Sequence, residues 1–413
     1  MDDNQSLNAD SDAGSGRPIV NTHIHLPPNF SAFETPEQAV QIGAAEGVAA
    51  MGTANYHDFR VYRRFAAAAA QAGIVPLFGL EIITLIDDLP GGGMLVNDPT
   101  NLNRMYLCGK AITRFDPPTP SAARRIAAMR SASDDRIRTM TALLAERFGQ
   151  VGLEGGTTDA TIAASVAERA GVPVEWVALQ ERHVAMAFQE LLFREVPQDD
   201  RTAILGRLFG TTTSVDTADA AAVQEAIRAN LMKAGRPAFV PEAAVSFDDA
   251  FRLILELGGI PCYPILADGA SPICAFEAPA EELAQRLLAR GIHCAELIPV
   301  RNRPEVIDRY VAVLRRAGIV IMAGTEHNTR RMIPLEPMAL GGEPLSPLSR
   351  ETFWEGTCIV AAHQNLAAAG RPGFVDADGR PNGEFADDEA RIRWFREIGA
   401  DLIAARCGAG VQA

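Results

Sequence analysis

Three histidines, His23, His25 and His57, stand where short apolar runs give way to polar residues, and His327 lies just beyond another such end. In Thr22-His-Ile-His25 a spacing of two puts both imidazoles on one side of a strand, which suits two ligands on one metal. Taken alone, the pair also reads as two polar loop histidines. Glu81 follows the apolar run that ends Gly79-Leu80, and Glu326-His327 follows the run at residues 319–323. Joint placement of four imidazoles and two carboxylates at such ends argues for a divalent metal centre. Mixed nitrogen and oxygen donors suit Zn²⁺, Mn²⁺ or Fe²⁺ and disfavour an all-oxygen Ca²⁺ or Mg²⁺ site. Such an ion lowers the pKa of bound water toward 7. His57 or His327 is then expected to carry the proton to the leaving group.

Arginines accompany these ends. Arg60, Arg63 and Arg64 follow His57, Arg301 and Arg303 follow Glu296, and Arg330 and Arg331 follow His327. A guanidinium holds phosphate or carboxylate with two parallel hydrogen bonds. Each arginine also reads as a solvated surface charge. The chain carries 38 basic and 52 acidic residues, a net charge of −14. That balance opposes duplex nucleic acid and anionic membranes over most of the surface, but not a small anionic substrate in a local basic pocket.

Positioning these residues requires alternating strands and helices. Residues 35–46 and 58–72 read as helices, and 47–55 and 74–80 as buried strands. The alternation resumes after residue 239, with strands at 260–266, 293–298 and 319–323 separated by helices that close on glycine. An α/β fold with chemistry at the carboxyl ends of its strands is expected. Residues 119–235 are rich in Ala, Arg and Glu and read as a helical insertion. Residues 350–413 read as a helical extension packed on the outside, and residues 1–16 as a disordered lead without a signal peptide's pattern. No run reaches the roughly 18 apolar residues of a membrane span. Six scattered cysteines without CxxC spacing fit reduced thiols of a cytoplasmic protein. A mean hydropathy of +0.02 with 47% hydrophobic residues fits a globular chain with a sizeable core.

The order of these segments resembles the PHP family, the polymerase and histidinol phosphatase domain, in its stand-alone metal-dependent phosphoesterases. The resemblance covers residues 17–330. It rests on Thr22-His-Ile-His25, Asn55-Tyr-His-Asp58, Gly79-Leu-Glu81, Met105-Tyr-Leu-Cys-Gly109, Arg182-His183, Gly258-Gly-Ile-Pro-Cys-Tyr-Pro264, Ala295-Glu-Leu297 and Gly324-Thr-Glu-His-Asn328. It implies a distorted (β/α)7 TIM-like barrel, formed by residues 17–118 and 236–349, with a metal cluster at its carboxyl face. It also implies that Arg182 and His183 close over a substrate phosphate. Departures are plain. Tyr106 and Tyr263 stand at two family histidine positions, Glu326-His-Asn328 replaces an Asp-x-His, and Ser31-Ala32-Phe33 supplies no aspartate. A reduced cluster of one or two metal ions per chain is therefore expected on His23, His25, Glu81 and Glu326, with Tyr106, Tyr263, Glu296 and Asn328 lining the pocket. Arg60, Arg182, His183, Arg301 and Arg330 are expected to hold the substrate, with the insertion as a cap and His183 turned toward the metal. The function so implied is hydrolysis of a small phosphorylated or anionic metabolite. The alternatives are a catalytically weakened barrel that binds or regulates, and a metal hydrolase of amide or lactone bonds. Oligomeric state is left open.

Overall fold

A computed structural model describes residues 17–410 other than residue 243, so the expected N-terminal lead lies outside the described residues. Strands β1 (Ile19–Ile24), β2 (Val48–Thr53) and β3 (Val75–Leu77) form one parallel sheet in that order. A second sheet contains β4 (Leu80–Leu85), β5 (Arg104–Lys110), β6 (Val245–Ser246), β7 (Ile260–Ile265), β8 (Cys294–Leu297) and β9 (Val320–Ala323). Its order is β6-β4-β5-β7-β8-β9, with β5 antiparallel to both neighbours. β2, β8 and β9 are buried on both faces, as strands covered from two sides must be.

The expected closed barrel is not what the pairing shows. Among the described residues, the β-bridges between the two sheets are the single ones Ile24–Glu326 and Asn55–Leu80. At one seam, Glu326 and His327 adopt φ of 63° and 49°, which turns the chain out of the ladder directly after the bridge. At the other, the run at 74–80 breaks. β3 ends at Leu77 and β4 begins at Leu80, so Glu81 is the second residue of a new strand and not the end of the preceding one. Gly79 permits the crossing there, since a Cβ would lie 2.5 Å from the Thr53 carbonyl oxygen and 2.7 Å from that of Gly109.

Helices α1 (Pro36–Ala45) and α2 (Tyr62–Gln71) connect the first sheet. α1 starts where the Thr35 side chain accepts from the Gln38 amide and Pro36 takes the first helical position. Residues 120–232 carry α3 (Pro120–Gly149), α4 (Asp159–Ala170), α5 (Glu181–Glu195), α6 (Gln198–Phe209) and α7 (Ala220–Ile227) around their own core of Met140, Phe148, Val184, Phe188, Leu205 and Val223. Helices α8 (Phe247–Glu256), α9 (Ala280–Ala289) and α10 (Pro304–Arg316) alternate with the later strands. Finally, α11 (Pro347–Ala368) and α12 (Asp388–Gly410) pack against the strand starts Val20, Ile260, Cys294 and Val320. No helix among the described residues is long and apolar enough to cross a membrane.

The inserted helices lie over loops that leave the carboxyl ends of β1, β2 and β9. The Gln180 side chain accepts from the Phe30 amide at 2.5 Å, Arg130 pairs with Asp58 at 3.0 Å, and Asp219 pairs with Arg331 at 2.8 Å.

Candidate metal centre

His23 is the fifth residue of β1, and His25 follows the strand directly. Backbone bonds fix both. The His25 amide donates to the Glu326 carbonyl at 2.9 Å, and the His23 amide donates to the Asn21 side chain at 3.1 Å. Both rings are about 1% exposed. His23 Nε2 lies 3.4 Å from His25 Nε2, and Glu81 Oε2 lies 3.4 Å from His25 Nε2 and 4.0 Å from His23 Nε2. Ligands on a tetrahedral ion with bonds near 2.0–2.1 Å are about 3.3–3.4 Å apart, so this triangle fits a transition-metal ion with its long edge slightly open.

The ring chemistry agrees with that fit. His23 Nδ1 is bonded to Glu296 Oε1 at 2.9 Å. With the carboxylate ionised, Nδ1 must carry the hydrogen, which leaves the Nε2 lone pair facing the triangle. His25 Nδ1 is buried without a hydrogen-bond partner among the described residues. Tyr56 stacks on the His25 ring at 5.5 Å and 6°, and burial together with the Glu81 charge holds its phenol well above its ordinary pKa. It stays protonated and acts as a donor, not a phenolate ligand.

Glu296 is fully buried yet ionised. Burial works against its charge, but Lys110 at 2.7 Å and His23 bring the carboxyl down to about 2. Lys110 is also buried, and the Glu296 carboxylate keeps its ammonium above the usual range against the desolvation. Cys108 gathers with His23 and Glu296, but burial first and Glu296 second push its thiol well up, so it remains a thiol.

Glu326 stands beside the triangle. Its carboxylate pairs with Arg301 at 2.9 Å and accepts from the Asn328 amide. Burial opposes its charge, but Arg301, His23 and His25 hold it down at about 2. Arg301 is 40% exposed, so its guanidinium stands at the opening of the site. The Arg182 guanidinium also feels the Glu326 charge, although burial and Arg228 lower its pKa.

Several residues singled out in the sequence are placed elsewhere. His327 was expected to carry a proton, but both ring nitrogens are occupied. Nδ1 bonds Thr325 Oγ1 at 2.7 Å, Nε2 bonds the Ile333 carbonyl at 3.0 Å, and the ring stacks on Phe33. His183 was expected to face the metal. Its Nδ1 instead accepts from the Gln180 amide at 3.0 Å, and its ring meets Phe30 edge-on. Arg60 is tied to Asp58 and to the Glu175 carbonyl, and lies over Trp176. Tyr263 pairs in register with Ala295, whereas Glu296 pairs with Pro264. The Tyr263 ring therefore leaves by the opposite face and donates to Glu277 at 3.0 Å. Tyr106 stays on the Glu81 side, and burial followed by Glu242, Asp98 and Glu81 raises its phenol. His57 sits at φ 57° with its ring 6.0 Å from Tyr56, and burial, aided by Arg130, lowers it to about 4.

Arg330 and His183 line a separate hollow of about 240 Å³, walled by Pro28, Phe30, Phe33, Val166 and Met186, between the loop after β1 and helices α4 and α5. Sequence reasoning missed Tyr56 and Lys110. The signal for Lys110 was compositional: of 38 basic residues only Lys110 and Lys233 are lysines, and Lys110 lies within an apolar run.

Neither a family model nor a curated protein matches this chain. Its fold is shared by solved structures, including these two. One, from Bifidobacterium adolescentis, is assigned as a metal-dependent phosphoesterase. It is 17% identical, covers 81% of this chain and 96% of its own, and has a TM-score of 0.52. The other, an amidohydrolase of Chromobacterium violaceum with bound sulfate and no metal, is 17% identical, covers 81% of this chain and 95% of its own, and has a TM-score of 0.51. At this identity the likeness extends to the fold, which this chain shares with proteins described as metal-dependent phosphoesterase and amidohydrolase.

Proposed function

We propose that this chain is a metal-dependent hydrolase of a small anionic compound, with a phosphate ester as the favoured substrate. The observation that carries the reading is the convergence of His23 Nε2, His25 Nε2 and Glu81 Oε2, two edges at 3.4 Å and the third at 4.0 Å, with the partly exposed Arg301 nearby. A divalent transition metal held by these three residues supplies Lewis acidity toward water and a substrate oxygen. The rest falls to the chain's own groups. Arg301 and Arg182 bind and orient the anion and offset charge that grows on it. Glu326, kept ionised, anchors Arg301 and is a hydrogen-bond acceptor for an attacking water. Tyr56 offers a protonated hydroxyl beside Glu81. The inserted helices exclude bulk water, which strengthens each of these charge interactions. The hollow at Phe30 and Met186 suits an apolar part of the substrate. The Chromobacterium neighbour's sulfate supports an anionic ligand for this fold.

The test is elemental analysis of the purified protein and of His23→Ala with His25→Ala, followed by a panel of phosphate esters, amides and lactones. One or two transition-metal ions per wild-type chain, absent from the variant, with turnover of phosphate esters, are expected. Equal metal in both proteins overturns the site. A metal-free folded wild type favours a binding protein, and turnover confined to amides or lactones reassigns the bond.

A further inference from the structure

The donor triangle spans two sheets. His23 and His25 come from β1 and its exit, whereas Glu81 belongs to β4, and Glu81 Oε2 lies 3.4 Å from His25 Nε2. How the two sheets meet therefore sets that edge. Asn55, fully buried, touches both chains. Backbone pairing of β1 with β2 runs as far as the Ala54 amide, which donates to the Ile24 carbonyl at 2.9 Å. Beyond it the Asn55 side chain takes over. Its Oδ1 accepts from the Leu26 amide at 2.8 Å, and its Nδ2 donates to the Leu26 carbonyl at 2.8 Å. A primary amide offers a donor and an acceptor as a peptide group does, so it extends the ladder past His25. The Asn55 backbone faces the other sheet. Its carbonyl accepts from the Glu81 amide at 3.4 Å, and the residue bridges Leu80. The buried Tyr62 hydroxyl braces the same point, accepting from the Asn55 amide at 2.9 Å and donating to the Gly79 carbonyl at 2.7 Å.

We infer that Asn55, braced by Tyr62, is a positioning residue: it ties the chain that carries His25 to the chain that carries Glu81, and so sets the span across which imidazole and carboxylate hold a metal. The inference rests on the metal reading above but concerns residues that supply no ligand atom to it. The residue types follow from the geometry. Alanine at 55 leaves the buried Leu26 amide without this acceptor and releases the backbone beside His25. An ionised aspartate has no donor for the Leu26 carbonyl. Phenylalanine at 62 keeps the ring but removes both hydroxyl contacts, one on each side of the seam. Donors meant for one small ion must stay about 3.3–3.4 Å apart, so slack at the seam is felt directly at the triangle. Supporting partners of ligands typically change metal affinity by about 10–100-fold.

The experiment compares full-length wild type with Asn55→Ala, Tyr62→Phe and Tyr310→Phe. Tyr62→Phe is the milder change and decides the matter if Asn55→Ala fails to fold. Tyr310→Phe is the control for a lost buried hydrogen bond elsewhere, since the Tyr310 hydroxyl donates to the Glu277 carbonyl at 2.8 Å. Three quantities are read. Hydrogen exchange of the metal-free proteins is followed by mass spectrometry in peptides covering residues 22–30 and 78–85. Zn²⁺ affinity is measured by competition with a chromophoric chelator. The visible spectrum of the Co²⁺-loaded proteins reports coordination, because four-coordinate Co²⁺ absorbs far more strongly than six-coordinate Co²⁺. Asn55→Ala and Tyr62→Phe should exchange faster in both peptides, bind Zn²⁺ about 10–100-fold more weakly and lose Co²⁺ absorption. Tyr310→Phe should match wild type in all three. Wild-type Zn²⁺ affinity and Co²⁺ spectrum in Tyr62→Phe overturn the inference, as does an equal loss in Tyr310→Phe. If wild type binds neither metal, the metal reading falls. Faster exchange in both peptides then still upholds Asn55 as the joint between the two chains, and unchanged exchange overturns that as well.

Discussion

The Glu326 carboxylate meets the Arg301 guanidinium at 2.9 Å while the Glu326 backbone sits at φ 63°. A non-glycine residue in that region stores strain, typically about 1–3 kcal/mol, and such strain gathers where a side chain must be aimed. Here it places a carboxylate against Arg301 and Asn328, near enough to His23 and His25 for both to favour its charge. The pair thus joins the surroundings of the buried donor triangle to a guanidinium that is 40% exposed.

Arg301→Gln should therefore weaken binding of phosphate esters. Losing a charge-assisted hydrogen bond costs about 1.5–3 kcal/mol, so KM should rise roughly 10–100-fold for a phosphate ester. Arg301→Lys keeps the charge but not the fork and should fall between. Steady-state kinetics on p-nitrophenyl phosphate check this. An unchanged KM in the Gln variant would remove Arg301 from the substrate contacts.

His327→Ala should damage stability more than turnover. The ring spends both nitrogens on Thr325 and Ile333 and packs on Phe33, so its removal strips two hydrogen bonds from a mostly buried turn. A loss of about 1–3 kcal/mol is expected, with kcat reduced less than about threefold. Thermal melts and kinetics in parallel separate the two readings. An unchanged Tm with a hundredfold loss of kcat would return His327 to proton transfer.

The HxH pair, the order of alternating elements and the helices at residues 120–227 were legible because each rests on local pattern: period 2, glycine stops and a change in composition. The tertiary facts were not. Glu81 read as a strand end because nothing in Leu77-Phe-Gly79 announces that one strand stops and another begins three residues on. Tyr263 read as a pocket residue from its place in a motif, but strand register sends it to Glu277, and register is not local information. His327 looked free because its partners, Thr325 and Ile333, close on it only through the turn at positive φ. Closure of the barrel depends on seams between strands distant in sequence, where the chain forms single bridges.

Glu277 gives a pH signature away from the metal centre. Burial raises its carboxyl from the ordinary 4.5 to about 7, against donors from Leu266, Ala267 and Tyr263. The folded state then binds more protons than the unfolded state between these values. Stability should decline as pH rises from about 4.5 to 7 and level off above, the opposite of a salt-bridged carboxylate. Glu277→Gln should remove that contribution, so the difference in unfolding free energy between variant and wild type should depend on pH within this window and be flat above it. Urea titrations at pH 5, 6, 7 and 8 measure it. A pH-independent difference would mean that Glu277 is ionised throughout.

Met186 tests where the apolar part of a substrate goes. Its side chain lines the hollow of about 240 Å³ with Phe30, Phe33 and Val166, next to the loop that leaves His25. Replacing it with tryptophan fills that space with a rigid ring and leaves Arg301, Glu326 and the histidines untouched. A group excluded from an apolar pocket forfeits about 1–3 kcal/mol per small increment of fit. For an ester with a bulky aromatic leaving group, such as 1-naphthyl phosphate, Met186→Trp should raise KM about 10-fold or more. For acetyl phosphate, which has nothing to place in the hollow, kinetics should stay within about twofold of wild type. Parallel KM measurements on the two substrates decide the matter, with metal content as the control that the donor triangle is intact. Equal effects on both substrates would mean that the tryptophan disturbs the cap as a whole. No effect on either would place the leaving group outside the Met186 hollow.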